Sequence, residues 1–124
     1  MLRYPGGKTR AISSLVPLLK EHYPTQRTLL SPFLGGGSLE LHLHEQGYTV
    51  HANDLFEPLA TFWNVVKNQP EQLQQSVRSR MPVSKETFLE LRTRIRELTD
   101  PLEIATAYFL VNRCSFSGAT FCGG

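Results

Sequence analysis

The spacing of apolar positions changes before the midpoint of the chain, from mixed strand and helix patterns to helix patterns alone. Short apolar runs at residues 27–31 and 48–52, each bounded by turn-forming residues, predict two β-strands. Apolar residues at helical spacing from Leu39 to about Gln46 predict a helix between them, with Ser38 as its expected cap. Gly47 occupies the position where glycine commonly ends a helix. A strand, a helix and a second strand in this order predict one parallel βαβ unit.

A turn and a further helix precede this unit. Residues 4–9 form the predicted turn, and Ile12, Leu15 and Leu19 follow at helical spacing. Pro17 is expected to kink or restart this helix, because proline lacks the amide proton that an interior helical position donates.

The chain from Leu55 onward is expected to be helical, with no further clear strand. Ser84 and Asp100-Pro101 are typical helix-start residues, and Phe62 and Trp63 are expected in the core. Four helices are predicted, over residues 58–67, 69–80, 84–98 and 100–112. Two parallel strands do not form a stable sheet by themselves, so the pattern predicts part of a larger α/β sheet.

The glycine-rich loop after the first predicted strand carries the strongest chemical signal. Residues 31–38 read Ser-Pro-Phe-Leu-Gly-Gly-Gly-Ser, and Asp54 follows the second strand about 20 positions later. Glycines let a backbone approach a ligand closely, and a carboxylate can accept hydrogen bonds from ribose hydroxyls. This arrangement is typical of βαβ units that bind adenosine-bearing cofactors.

Two other nucleotide-binding motifs fit the residues poorly. A phosphate-binding P-loop ending at Lys8 and Thr9 would need a glycine where the chain has Leu2. A nicotinamide fingerprint would need its third glycine at the position of Glu40, and its βαβ pattern would continue where this chain turns helical.

Composition narrows the class of protein further. Thirteen basic and eleven acidic residues among 124 give a net charge of +2, which is too small to indicate nucleic-acid binding by itself. Seven basic residues nevertheless cluster within 78–113, either as a solvated helix face or as a binding surface. Cys114 and Cys122 form no metal or redox motif, and no apolar run is long enough for a membrane span. These features predict a cytoplasmic protein that is not in a membrane.

Four segments, in this order, resemble the Dam-like DNA adenine-N6 methyltransferases. The family's motifs are an aromatic-x-Gly-Gly-Lys segment, a Pro-Phe-x-Gly-Gly-Gly-Ser loop, an Asn-Asp motif and an Asn-Arg-x-x-Phe-x-Gly stretch. The matching segments here are Tyr4-Pro5-Gly6-Gly7-Lys8, Pro32-Phe33-Leu34-Gly35-Gly36-Gly37-Ser38, Asn53-Asp54-Leu55 and Asn112-Arg113-Cys114-Ser115-Phe116-Ser117-Gly118.

The resemblance implies S-adenosyl-L-methionine as the cofactor. Asp54 would bind the ribose hydroxyls, Gly35 and Gly37 would pass under the cofactor, Tyr4 would offer an aromatic surface and Lys8 a polar contact. The full set of residues expected at the cofactor site is Tyr4, Gly6, Gly7, Lys8, Pro32, Phe33, Gly35, Gly37 and Asp54.

The resemblance also implies double-stranded DNA as a partner. Residues expected to contact DNA are Arg92, Arg96, Asn112, Arg113 and Ser117. Arginines there would contact phosphates or guanine edges. Asn112, Arg113 and Ser117 could equally cap the last helix, and both interpretations remain open.

Two departures from the family pattern bear on function. The family usually has an acidic residue before Pro-Phe, which helps hold the cofactor's ammonium group, and this chain has Ser31. The family's catalytic Asp-Pro-Pro-Tyr motif, which polarises the amino group of a flipped adenine, is absent from residues 1–124. Asp100-Pro101 is followed by Leu102-Glu103 and is interpreted as a helix start.

The expected protein is therefore an N-terminal fragment of an adenine-specific DNA methyltransferase, inactive alone. Its expected fold is α/β, an incomplete Rossmann-like cofactor-binding sheet with an inserted helical target-recognition segment. Residues 1–68 would belong to the cofactor-binding domain and residues 69–124 to the truncated target-recognition segment. No catalytic residue and no metal site are expected, and a second chain could supply the catalytic half. The alternative is a non-catalytic DNA- or nucleotide-binding module.

Overall fold

The computed structural model describes residues 2–121 as six α-helices, two β-strands and two short 3-10 turns. The turns cover Lys8–Ala11 and Phe116–Gly118. The strands are β1 (Thr28–Ser31) and β2 (Thr49–Ala52). The helices are α1 (Ile12–His22), α2 (Ser38–Glu45), α3 (Glu57–Asn68), α4 (Pro70–Ser79), α5 (Lys85–Arg94) and α6 (Pro101–Cys114).

The two strands pair in parallel, with Thr28 opposite Thr49 and Ser31 opposite Ala52. Helix α2 forms the crossover between them. Gly47 ends α2 in the left-handed conformation, at φ +85°, and its amide donates to the His44 carbonyl at 2.9 Å. The prediction of a parallel βαβ unit is confirmed, and so is the mixture of helices with a small parallel sheet.

Residues 6–55 form one compact unit around this sheet. Its core joins Val16 of α1, Leu39 and Leu43 of α2, and Tyr48, the residue before β2. Helix α1 runs through Pro17 to His22 without a break, so the predicted restart at this proline is wrong.

The second compact unit contains residues 2–5 and 56–121, and α6 is its central helix. Helices α3, α4 and α5 each pack against α6, which buries Ala105, Ala107 and Tyr108 in a core with Phe62. Trp63 is partly buried against the same core, so both aromatic residues of α3 lie where the sequence predicted.

Helix starts follow the predicted capping residues in two of three cases. Ser84 accepts a hydrogen bond from the Thr87 amide at 3.1 Å, and Asp100 accepts one from the Glu103 amide at 2.8 Å. Ser38 is different, because it is the first residue of α2 and Gly37, at φ +70°, precedes it as the N-cap. The Ser38 hydroxyl instead accepts a hydrogen bond from Thr9 at 2.9 Å.

Three further predictions concern membrane-spanning helices, the cysteines and the boundary between functional parts. None of the helices in residues 2–121 combines the length and the apolar character that crossing a membrane requires. Cys114 is a free, exposed thiol, whereas Cys122 lies outside the described residues. The functional boundary expected near residue 68 stays a prediction.

Replacing Ser84 with alanine tests the α5 cap. Loss of the acceptor should lower the free energy of unfolding by about 1 kcal/mol, measured by urea denaturation.

The pKa of Glu86 is lowered by a hydrogen bond from its own backbone amide and then by one from Ser84. It should therefore rise toward its usual value in Ser84→Ala, as followed by NMR titration. Ser84→Asp keeps an acceptor and should retain the stability; equal stability of all three proteins would contradict a capping role.

Candidate functional site

The glycine loop lies at the carboxyl end of β1, where ligands bind in open α/β sheets. Residues 35–37 are buried, whereas Pro32 and Phe33 are exposed. Gly35 and Gly37 have φ values of +55° and +70°, a conformation that glycine adopts without the strain a Cβ would bring. The Leu34 amide donates to the Asn53 carbonyl at 2.9 Å, so the loop is fastened to the chain leaving β2.

Asp54 contacts the glycine loop directly. Its Oδ2 atom accepts a hydrogen bond from the Gly35 amide at 2.9 Å. The side chain is half-buried at the carboxyl end of β2. The structure thus brings together Gly35 and Asp54, which the sequence placed in one site. An ionised carboxylate can accept several hydrogen bonds, so this contact is compatible with ribose hydroxyls as further donors.

Lys8 connects the Gly-Gly-Lys segment to the same loop. Its ammonium group donates to the Phe33 carbonyl at 3.0 Å and lies 3.3 Å from Oε1 of Glu40. Gly6 adopts φ +74° and Gly7 precedes the 3-10 turn that begins at Lys8. Lys8 therefore contacts the loop directly, whereas Tyr4 and Pro5 of the same segment belong to the other compact unit.

Glu40 also lies at the candidate site. In the sequence, this position was notable only because a nicotinamide fingerprint would have its third glycine there. It lies in the first turn of α2 and is 4% exposed. Its Oε1 atom accepts a hydrogen bond from the Ser31 hydroxyl at 2.6 Å. Two features of the sequence could have indicated this contact. One is an acidic residue at the third position of the helix after the loop, and the other is the serine at position 31.

Asn112 holds the N-terminal residues against α6. Its side chain is fully buried, accepts a hydrogen bond from the Arg3 amide at 3.1 Å, and donates to the Arg3 carbonyl at 2.7 Å. The adjacent Tyr4 is 39% exposed and belongs to this unit. An open groove here is lined by Arg3, Tyr4, Arg113, Cys114, Ser115 and Phe116.

The arginines expected to contact DNA differ in their surroundings. Arg92 donates to the Phe121 carbonyl at 3.0 Å, whereas Arg96 and Arg113 are exposed. Arg94 forms ion pairs with Glu90 and Glu97. The side chain of Ser117 falls outside what the structure describes.

Residues 4–122 match the family described as D12 class N6 adenine-specific DNA methyltransferase. The chain belongs to this family. The resemblance inferred from the four motifs is therefore confirmed.

The curated relatives that this family member matches are longer proteins named DNA adenine methylase. The Vibrio cholerae protein is 30% identical over 120 residues, which cover 94% of this chain and 41% of the relative. The Salmonella typhi and Escherichia coli K12 proteins are 28% and 26% identical over the same shares. The chain thus spans about two fifths of the length of these relatives.

No metal centre accompanies the site in the part of this D12 family member that the structure describes. Within residues 2–121, no three His, Cys, Asp or Glu side chains are placed to hold a metal ion. The polar groups at the sheet edge are instead a carboxylate, an ammonium group and backbone amides, which suit an organic ligand.

Replacing Asn112 with alanine tests its anchoring role. The change removes both hydrogen bonds to the amide and carbonyl groups of Arg3, so the free energy of unfolding should fall by about 1–3 kcal/mol in urea denaturation. Hydrogen exchange at the Arg3 amide should accelerate more than exchange within α5. Arg113→Ala, one position along the same helix and exposed, serves as control and should retain the stability. Unchanged exchange at Arg3 in the Asn112 variant would contradict the anchoring role.

Proposed function

We propose that this chain provides the cofactor-binding part and a DNA-contacting part of an adenine-specific DNA methyltransferase. The reaction is transfer of a methyl group from S-adenosyl-L-methionine to N6 of adenine in DNA. The observation that carries the proposal is the hydrogen bond between Asp54 and Gly35, which joins the glycine loop to the acidic residue at the carboxyl edge of a parallel sheet. Membership of the D12 family and relatives named DNA adenine methylase support it.

The residues at the sheet edge fit S-adenosyl-L-methionine chemically. Asp54 would accept hydrogen bonds from the ribose hydroxyls, and the positive-φ Gly35 and Gly37 would leave room for the nucleoside. Lys8 carries a positive charge beside the loop, which suits the carboxylate of the methionine moiety. When bound, the cofactor supplies the methyl group for transfer.

The exposed surface of the sheet supports a larger Rossmann-like fold. Parallel sheets are normally covered on both faces. Here Leu30 of β1 is 74% exposed, and His51 and Ala52 of β2 are also exposed. We propose that further strands and helices, from a longer product or a second chain, cover this sheet and complete the fold. In that fold, residues 1–68 would hold cofactor and residues 69–124 would contribute to target recognition.

The catalytic polar group would come from that same additional part. Residues 1–124 contain no Asp-Pro-Pro-Tyr sequence, and Asp100-Pro101 serves as the cap and first residue of α6. Methylation of an exocyclic amine needs the adenine flipped from the duplex and its amino group hydrogen-bonded. A complete protein with this motif should therefore methylate adenine, whereas residues 1–124 should bind without turnover.

The proposed DNA contact is the groove lined by Arg3, Tyr4, Arg113 and Phe116. Arginines there can contact phosphates, and exposed aromatic rings can stack with bases. Phe116 is 87% exposed, which leaves its ring available. Arg96 is a further candidate for phosphate contact because it is exposed. For Asn112, whose amide is buried on Arg3, we propose a positioning role for this groove.

Replacing Asp54 with asparagine tests the cofactor part of the proposal. The substituted side chain is a neutral amide, so it lacks the negative charge that favours ribose hydroxyl donors. Binding of S-adenosylhomocysteine, measured by calorimetry, should weaken about 10- to 100-fold, the range expected for hydrogen bonds to a charged group. In a complete protein that includes Asp-Pro-Pro-Tyr, transfer of labelled methyl to adenine should fall correspondingly.

Glu21→Gln removes an exposed carboxylate from α1 and is the matched control, with wild-type binding expected. A complete protein that transfers no labelled methyl to any duplex would overturn the methyltransferase proposal. Equal binding by wild type and the Asp54 variant would overturn the assigned role of Asp54 alone.

A second candidate function is a non-catalytic DNA-binding module, which the exposed arginines favour. Binding to duplex DNA can be measured by fluorescence anisotropy, starting at low ionic strength. The logarithm of the binding constant should fall linearly with the logarithm of the salt concentration. Arg113→Gln should reduce the salt slope by about 1, because one phosphate contact is lost. Arg94→Gln is the control, since Arg94 is already paired with Glu90 and Glu97. Absence of binding at low salt would overturn this candidate.

A further inference from the structure

Gly118 lies directly against the backbone of Arg3. It ends the 3-10 turn that follows α6 and adopts φ +75°, a conformation that residues with a side chain rarely adopt. A Cβ atom placed on Gly118 would lie 2.3 Å from the Arg3 carbonyl oxygen and 2.6 Å from both the carbonyl carbon and the Cβ atom of Arg3. Non-bonded atoms do not approach so closely, so a side chain at this position would force the two segments apart.

Hydrogen bonds hold this turn at both of its ends. The Ser115 hydroxyl donates to the Asn112 carbonyl at 3.0 Å and accepts from the Thr120 amide at 3.0 Å. The Asn112 side-chain amide donates to the Arg3 carbonyl at 2.7 Å and also to the Gly118 carbonyl at 3.5 Å. The atoms that a Cβ would meet are therefore mainly backbone atoms held in place, and no rotation of a flexible side chain could make room for it.

The contact between Gly118 and Arg3 joins two segments that line the groove proposed to contact DNA. Arg3 and Tyr4 contribute to this groove from the N-terminal segment, whereas Arg113 and Phe116 contribute from the end of α6 and from the turn. Gly118 does not line the groove itself. Its missing side chain nevertheless sets how closely the turn approaches the N-terminal segment, and so it affects where the exposed Arg3 side chain starts.

We infer that Gly118 is a positioning residue for DNA binding, which acts through the backbone of Arg3. With glycine at this position, the turn closes over Arg3 and holds its guanidinium group on the same groove as Arg113. A phosphate contact depends on such placement, because the contact needs the guanidinium group within hydrogen-bond distance of the duplex. This inference rests on the proposed function, because it concerns the same groove.

A purely structural role for Gly118 makes a different prediction. If the glycine only relieved strain, a side chain there would lower the stability of the chain. The folded molecules would still bind DNA as before, and Arg3 would still contribute to that binding. A positioning role instead removes the contribution of Arg3, so the two roles are separated by a double-mutant cycle between positions 118 and 3.

The experiment measures binding of a fluorescein-labelled DNA duplex to the full 124-residue chain by fluorescence anisotropy over a range of salt concentrations. In the wild type, Arg3→Gln should weaken binding at low salt about 10-fold and reduce the salt slope by about 1, as expected for one lost contact to a charged phosphate. Gly118→Ala should produce the same two changes. Adding Arg3→Gln to Gly118→Ala should then change neither quantity further.

Gly47→Ala is the matched control for backbone strain. Gly47 has φ +85°, and a Cβ atom on it would have no neighbour within 4 Å. This variant should lose stability, yet keep the affinity and the salt slope of the wild type. Circular dichroism identifies the variants that fold.

Ser115→Ala provides a second route if Gly118→Ala does not fold. It keeps the glycine but removes both hydrogen bonds of the Ser115 hydroxyl, so the turn is held less firmly against Arg3. The loss of affinity caused by Arg3→Gln should be smaller in this background than in the wild type.

The outcomes separate this inference from the proposed function. If the wild type binds DNA but Arg3→Gln has no effect on it, or has the same effect in every background, the inference is overturned and the proposed DNA contact remains. Wild-type affinity in folded Gly118→Ala would overturn it as well. If the wild type binds no duplex at low salt, the proposed DNA contact and this inference are both overturned.

Discussion

The parallel pairing of β1 with β2 is the constraint on which the candidate site depends. Because Ser31 lies opposite Ala52, both strands end at the same edge, and the chain segments that follow them must meet there. The Asp54 carboxylate then reaches the Gly35 amide. A register shift of one residue would turn the side chains of one strand to the opposite face and separate these two groups. The site is therefore a consequence of backbone pairing before any ligand is considered.

A charge pair with one buried partner, Glu40, adds a second constraint to the same unit. Lys8 and Glu40 are brought together from the segment before α1 and from the first turn of α2, and Ser31 of β1 joins them. Because the Glu40 carboxylate is buried, its negative charge must be balanced by polar or positively charged groups close to it. The segment before α1 and strand β1 are thus both tied to the first turn of α2 by one carboxylate.

The C-terminal unit is organised around α6 and one polar side chain. Asn112 bonds both backbone groups of Arg3, which places the N-terminal residues in the helical unit. Tyr4 and Lys8 are only four positions apart, yet they belong to different compact units. The aromatic-x-Gly-Gly-Lys segment therefore contributes residues to both units.

Apolar spacing and local start and stop residues determined the elements themselves: the βαβ unit, the helical second half and the capping of α5 and α6 by Ser84 and Asp100. These depend on neighbours within one turn or strand, so they can be inferred from sequence. The order of four motifs also identified the family. The tertiary structure alone decided that Glu40 lies against Lys8, 32 positions away, and that Asn112 bonds Arg3, 109 positions away. Such partners are chosen by packing between distant segments, where a buried polar group must find whichever donor or acceptor the fold brings to it.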